Sequence, residues 1–168
     1  KKYCPDYEIK CWNEQNYDVE KIPYMKQAYQ AGAYGFVPDY ARLDILYHYG
    51  GIYLDTDVEL VCSLDDLLNQ EAFCSVEKWQ TINFGGGGGS VTGSEMIGKL
   101  LKEREQILFV KSNGMQNRNT CGYYDTLFFM KYGYQITGKI QNINGVTIYP
   151  YDVFHPYDYM SGRTDKTI

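Results

Sequence analysis

The chain has 168 residues and a formal net charge of −5, and 44% of its residues are hydrophobic. This length is enough to bury a core, so we expect residues 1–168 to form one domain. Mild net acidity without a basic stripe argues against nucleic acid as a partner, and no window holds the ~18 consecutive apolar residues of a membrane span.

The cysteines indicate the compartment. There are five, none in a Cys-x-x-Cys pair, and only two histidines accompany them, which argues against a zinc knuckle or a disulfide framework. A reducing compartment is the simpler interpretation. We therefore expect a cytoplasmic protein, and the sequence leaves association with a membrane assembly open.

The first third of the chain predicts two strands and two helices. Residues 7–12 alternate apolar and polar, as a half-buried strand does. A helix is predicted over 23–31, and a second over 38–49, with an N-cap at Pro38-Asp39 and a stop at Gly50-Gly51. Apolar residues cover more than one side of the second helix, so we expect it to be buried. Residues 52–54 then have the pattern of a strand covered on both faces.

The remaining chain continues the alternation of elements. Residues 72–76 favour a strand, and the glycine-rich stretch 84–90 favours a loop, either a mobile one on the acceptor side or a plain surface loop. Residues 125–132 predict a short helix and 143–149 a hairpin. Another helix follows Ser94, which can cap it, and its apolar face carries Ile97, Leu100, Leu101, Arg104 and Leu108. Because helices and strands interleave, we predict an α/β fold.

Acidic residues concentrate in one segment. Seven acidic residues and one arginine lie between Asp39 and Asp66, a net charge of −6, so the rest of the chain sums to +1. At its centre, a short apolar run leads into Asp55-Thr56-Asp57. Side chains two residues apart in extended chain point the same way, and two such carboxylates repel unless a cation or a proton lies between them. Because Mg²⁺ and Mn²⁺ combine one or two carboxylates with phosphate oxygens, the pair predicts a metal–diphosphate site at a strand end.

Asp39 and Arg42 extend this prediction to the preceding helix. They stand at i,i+3, so both can lie on one face near its start. An arginine there can donate two hydrogen bonds to phosphate or sugar oxygens. The alternative is that Asp39 caps the helix, or that Arg42 simply pairs with Asp39 or Asp44.

Residues 29–58 carry three motifs in order: an Asp-x-x-Arg from Asp39, a Tyr-Gly-Gly from Tyr49 and an Asp-x-Asp from Asp55. This segment closely resembles the DXD sugar-binding region of family 32 glycosyltransferases, with further similarity over residues 5–14. The family includes bacterial capsular-polysaccharide transferases and fungal initiating α-1,6-mannosyltransferases. The clostridial glucosylating toxins are more distantly similar.

The resemblance implies a GT-A fold, which is a Rossmann-like α/β domain. It also implies retaining transfer of a sugar from a UDP- or GDP-sugar to a saccharide acceptor in cell-surface polysaccharide synthesis, with Mn²⁺ or Mg²⁺ as cofactor. In this family pattern, Asp57 matches the direct metal ligand, and Asp55 matches a residue that contacts both the ribose and the metal sphere. Asp39 and Arg42 match positions that bind the donor sugar and its phosphates. No side-chain nucleophile is implied, so catalysis would rest on positioning and electrostatics.

Two family features fall outside residues 1–168, namely a first strand that helps to hold the base and a closing histidine motif. We therefore expect a domain truncated at both ends, in which His155 is either a substitute metal ligand or structural.

Three other functions stay open. One is an inactive carbohydrate-binding relative. Another is a haloacid-dehalogenase-like phosphatase with Asp55 as nucleophile, disfavoured by Glu59 where that fold expects threonine or valine. The third is a calcium-binding loop, disfavoured by Leu60 where an EF-hand needs glycine.

Overall fold

The computed structural model describes residues 2–155, 157–158 and 162–164. Helices and strands interleave along the chain, which confirms the predicted α/β class. The helices are α1 (Pro23–Gln30), α2 (Pro38–Tyr49), α3 (Glu95–Arg104), α4 (Cys121–Lys131) and α5 (Tyr151–Phe154). The strands are β1 (Gly51–Tyr53), β2 (Ala72–Val76), β3 (Ile82–Asn83), β4 (Gly88–Ser90), β5 (Gln141–Ile143), β6 (Val146–Tyr149), β7 (Tyr157–Asp158) and β8 (Arg163–Thr164).

The main sheet of the described residues runs in the order β1-β4-β2-β6-β5, and β3 also pairs with β2. β2 and β6 are parallel, whereas the other pairs of this sheet are antiparallel. The middle strand β2 is buried at all five positions. β1 lies at an edge and is half-buried, so the prediction that it is covered on both faces is wrong.

Local signals explain where α1 and α2 begin and end. Each starts at a proline, whose missing N–H leaves no partner unsatisfied at the first helical position. Gly32 and Gly50 follow their ends with φ of +66° and +68°. Every residue of α2 from Asp39 to Leu46 is buried, as its all-round apolar pattern predicts.

The core lies where α2, α3 and α4 pack together over the sheet. α2 contacts α3 and β1, α3 contacts α4, and α4 contacts β3. Each wholly buried large side chain stabilises the fold by about 1.5–3 kcal/mol relative to exposure. Such residues include Met25, Leu43, Leu46, Phe84, Ile97, Leu100, Phe109, Phe128, Phe129 and Ile148.

The glycine run departs most from the predicted elements. The sequence predicts a loop over 84–90, but these residues are all buried, and Gly88–Ser90 forms β4 between β1 and β2. A Cβ on Gly89 would overlap the ring of Phe73, so only glycine admits this packing. Glycine has low strand propensity, and the ladders on both sides of β4 supply the stabilisation that the segment itself lacks.

Three smaller predictions are also wrong. Residues 7–12 alternate but form no strand, and Ile9 is 65% exposed. α3 ends at Arg104, so Leu108 lies beyond it and is 46% exposed. The hydroxyl of Ser94 donates to Glu71 and does not cap α3.

Two predictions for the second half of the chain agree better with the structure. The hairpin over 143–149 is confirmed as β5 and β6, joined by Asn144-Gly145 with positive φ at both residues, as a type I′ turn requires. The short helix is present as α4, but it begins at Cys121, four residues earlier than Asp125, and Thr120 caps it by accepting from the amide of Tyr123.

Candidate functional site

The first turn of α2 holds two buried charges. Asp39 and Arg42 are only 5% and 6% exposed, and Arg42 Nη2 lies 3.7 Å from Asp39 Oδ1. Val37 is the N-cap residue, so the prediction that Pro38-Asp39 caps the helix is wrong. Of the two alternatives left open by the sequence, the structure contains the ion pair. Arg42 Nε also donates to the carbonyl of Pro38 at 3.0 Å, which fixes the guanidinium.

Asp55 completes a three-residue cluster with these two. It follows β1, and its amide donates to the carbonyl of Gly85 at 2.8 Å. Its Oδ1 lies 3.4 Å from Arg42 Nη2 and accepts from the Tyr53 hydroxyl at 3.0 Å. The Arg42 guanidinium lies 5.4 Å from the centre of the Tyr53 ring. Arg42 therefore bridges Asp39 and Asp55.

Asp57 differs from these three residues because it is exposed. The amide of Val58 donates to the carbonyl of Asp55 at 3.2 Å, so residues 55–58 form a turn and the predicted extended Asp-x-Asp is wrong. Asp57 is exposed at this turn. Its carboxylate makes no hydrogen bond or ion pair with the described residues, and it remains available to a ligand from solvent.

The glycine run forms the wall of the site. A Cβ on Gly85 would overlap the Arg42 guanidinium and the Asp55 carboxylate, and one on Gly86 would overlap the imidazole of His155. The side chains of the site therefore rest directly against backbone. The glycine run is visible in the sequence. Its place in the sheet is not, because it depends on pairing with β1, which is distant in the sequence.

Sequence reasoning missed Asn83, which lies beside this wall. Asn83 Oδ1 accepts from the Gly85 amide at 2.6 Å and lies 3.5 Å from Arg42 Nη1. Its amide group donates to Glu77 at 2.7 Å. His155 Nε2 lies 3.1 Å from the buried hydroxyl of Ser75, and burial lowers the pKa of His155. Asn83 is therefore a direct neighbour of the predicted site.

Two further charged residues extend the contacts of Asp39, since Arg104 contacts Asp39 and Asp125 contacts Arg104. Arg104 Nη2 is 4.0 Å from Asp39 Oδ2 and 3.5 Å from the Asp39 carbonyl, and Arg104 Nε is 3.9 Å from Asp125 Oδ1. Burial raises the pKa of Asp39, opposed by Arg42 and Arg104. Burial also raises the pKa of Asp125 to about 7. The sequence signal for Arg104 was its place on the apolar face of a predicted helix.

A large cavity lies apart from this cluster. It has a volume of about 650 Å³ and lies between residues 8–14, α2 and β1. Asp39, Arg42 and Asp55 do not line it, although Tyr53 and Thr56 do. Its lining is mainly aromatic and aliphatic, and its charged residues are Glu8, Lys10 and Glu14.

The comparisons with known proteins cover the part of the chain that holds the cluster. Residues 1–74 match the family model described as a glycosyltransferase sugar-binding region containing a DXD motif. Residues 1–74 are thus similar to a glycosyltransferase sugar-binding region, and we call them the sugar-binding region. The resemblance predicted from residues 29–58 is thereby confirmed.

The sugar-binding region also has a curated relative. Inositol phosphoceramide mannosyltransferase 3 of Schizosaccharomyces pombe is 37% identical over 73 residues, which are 41% of this chain and 20% of the yeast protein. The chain thus spans about a fifth of the length of that relative. No solved structure matches the chain significantly. No helix of the described residues is long and apolar enough to cross a membrane.

The sugar-binding region supplies Asp39, Arg42 and Asp55, whereas the glycine wall and Asn83 come from later residues. The geometry therefore joins the matched region to the unmatched part of the chain.

Proposed function

We propose that the chain is the donor-binding part of a metal-dependent retaining glycosyltransferase of the GT-A fold, and that residues 1–168 act as one domain. It transfers a sugar from a UDP- or GDP-sugar to a saccharide acceptor in cell-surface polysaccharide synthesis. The observation that supports this most directly is the cluster of Asp39, Arg42 and Asp55, built within the sugar-binding region and packed against glycine backbone.

Arg42 is the residue that meets the donor. Its guanidinium is buried and held by Asp39, Asp55 and the Pro38 carbonyl. Such a pre-oriented arginine binds phosphate and sugar oxygens without reordering, so the electrostatic stabilisation is in place before the bond breaks. The two carboxylates orient it and accept hydrogen bonds from sugar hydroxyls. No side-chain nucleophile is required, because positioning and charge neutralisation favour departure of the nucleoside diphosphate.

The net charge of the site suits a divalent cation bound together with the diphosphate. Asp39, Asp55 and Asp57 against Arg42 give a net charge of −2 when all are ionised, which repels a diphosphate unless a cation neutralises it. Among the described residues, no group of three or more His, Cys, Asp and Glu is arranged to hold a metal alone. Mg²⁺ and Mn²⁺ often take only one or two carboxylates and complete their shell with water and phosphate oxygens. Asp57 and Asp55 would hold the ion, which supplies charge neutralisation of the leaving diphosphate when bound.

The acceptor would approach from the side of Glu77 and His155, next to the glycine wall. These side chains offer carboxylate and imidazole groups that suit saccharide hydroxyls, and the wholly buried Ser75 holds His155. We infer a structural or acceptor-side role for His155, because it binds Ser75 and joins no metal-binding group of the described residues. Cytoplasmic location stays a prediction.

Metal-dependent release of nucleoside diphosphate tests the proposed function. Purified protein is incubated with UDP- and GDP-sugars, including GDP-mannose, with Mn²⁺, Mg²⁺ or a chelator. We expect turnover of one donor that the chelator abolishes. Asp57→Asn should lower kcat/KM on the order of 10²-fold, because it removes a charge that the metal diphosphate needs.

Asp66→Asn is the matched control, since Asp66 is an exposed aspartate of the same acidic segment and should leave turnover unchanged. Turnover indifferent to both the metal and Asp57, or no turnover of any donor, contradicts the proposal. Nucleotide-sugar binding without turnover would indicate the inactive relative. A phosphoryl group on Asp55 would indicate the phosphatase, and calcium binding without nucleotide the calcium module.

A further inference from the structure

Four buried charged side chains and the half-buried Asp55 form a continuous series that reaches beyond the sugar-binding region. In spatial order it runs Asp55, Arg42, Asp39, Arg104, Asp125, with alternating sign and successive separations of 3.4, 3.7, 4.0 and 3.9 Å. Arg104 and Asp125 are 4% and 2% exposed. Arg104 ends α3 and Asp125 lies in α4, both outside residues 1–74. Two helices of the unmatched part therefore reach the back of the cluster.

This arrangement is costly if its only role is to hold the helices together. Within the described part of the chain, Arg104 Nη1 and Asp125 Oδ1 are buried without a hydrogen-bond partner, and buried ion pairs are often no more stabilising than apolar side chains of similar volume. A second pair, Lys131 with Glu103, already joins α3 and α4 at the surface. Arg104 differs from Lys131 in that it also contacts Asp39.

We propose that Arg104 and Asp125 are positioning residues for the donor site. Arg104 holds the Asp39 carboxylate from behind, so that Asp39 presents its other oxygen to Arg42, and Asp125 orients Arg104. The aromatic rings of Tyr24 and Tyr124 lie 5.9 and 5.1 Å from the Arg104 guanidinium and limit its alternative positions. This inference rests on the proposed function for its effect on the donor, but the effect on α2 is independent of it.

The test removes both members of the pair, so that neither Arg104 nor Asp125 is left as an unpaired buried charge. Arg104→Met combined with Asp125→Leu replaces both groups by apolar side chains of similar volume, and such replacements are commonly tolerated. Arg104→Lys keeps the charge but not the planar fork. Lys131→Met is the matched control, since it breaks the other α3–α4 pair. Thermal unfolding first establishes that each variant is folded.

Hydrogen exchange and kinetics then give two readouts. In the double variant we expect faster amide exchange over residues 38–46 and unchanged exchange over 141–149. We expect a rise in donor KM and a fall in kcat/KM of about 10- to 100-fold, the range typical when partners of ligating groups are removed. Acceptor KM should not change, and Arg104→Lys should be intermediate. A merely structural role lowers the folded fraction, and so the apparent kcat, without changing donor KM.

The outcomes separate this inference from the proposed function. If the wild type turns over no donor, the proposed function fails, whereas exchange over 38–46 still decides the positioning role. Exchange in the double variant equal to that in Lys131→Met overturns the inference. Faster exchange with an unchanged donor KM in an active enzyme also overturns it, because Asp39 would then be released without consequence for the donor.

Discussion

At the scale of residues, the site depends on the missing side chains of two glycines as much as on its charged side chains. Gly85 and Gly86 bring backbone against Arg42, Asp55 and His155. Close approach of this kind needs glycine for its missing side chain, independently of any special φ. The carboxylates and the arginine were predictable from their motifs. The wall was not, because the glycine sequence alone does not indicate which side chains lie against it.

Gly85→Ala should therefore damage the site more than the fold. Its methyl group would displace the Arg42 guanidinium or the Asp55 carboxylate, and we expect donor kcat/KM to fall on the order of 10²-fold, with a loss of stability of about 1–3 kcal/mol from overpacking. Diphosphate release and thermal unfolding measure the two effects. Gly35→Ala is the control, because nothing lies within 4 Å of a Cβ there. Equal activity of the two variants would refute this role of Gly85.

At the scale of elements, sequence predicted best where the signals are local. α1, α2 and the β5–β6 hairpin carry their own start and stop residues, namely prolines, glycines and Asn144-Gly145. The predictions for β4 and for residues 7–12 were wrong for opposite reasons. β4 has a sequence unsuited to strands and is stabilised by neighbours on both sides, whereas residues 7–12 have the alternation but no partner strand among the described residues. Arg104 meets Asp39 across 65 residues, a contact that no local pattern reveals.

The end of α3 gives a matched pair of leucines for testing this element. Leu100 is 0% exposed, whereas Leu108, which the periodicity places on the same face, is 46% exposed. Leu100→Ala should cost about 2–5 kcal/mol in free energy of unfolding through loss of burial and a residual cavity. Leu108→Ala should cost no more than about 0.5 kcal/mol. Urea unfolding of both variants measures the difference, and equal losses would mean that α3 extends to Leu108.

At the scale of the whole molecule, acidic and basic side chains that alternate and are mostly buried couple the matched and unmatched parts of the chain. This coupling makes stability depend on pH through Asp125. Burial raises its pKa to about 7 from the usual 3.8, against the opposing effect of Arg104. Between these values the folded protein holds a proton that the unfolded chain releases. The contribution of Asp125 to stability is therefore fully present below about pH 4 and is lost as pH rises through about 7.

Asp125→Asn should remove this dependence, because the amide stays neutral at every pH. The free energy of unfolding of Asp125→Asn minus that of the wild type should rise from pH 4 to pH 7 and level off above about pH 8, by no more than about 4 kcal/mol. Taking the difference cancels groups common to both proteins, including His155, whose pKa burial lowers. Urea unfolding across this range gives the two curves, with the exposed Asp66→Asn as reference. Parallel curves for Asp125→Asn and the wild type would show that Asp125 is ionised in the folded protein throughout, held by Arg104 against the cost of burial.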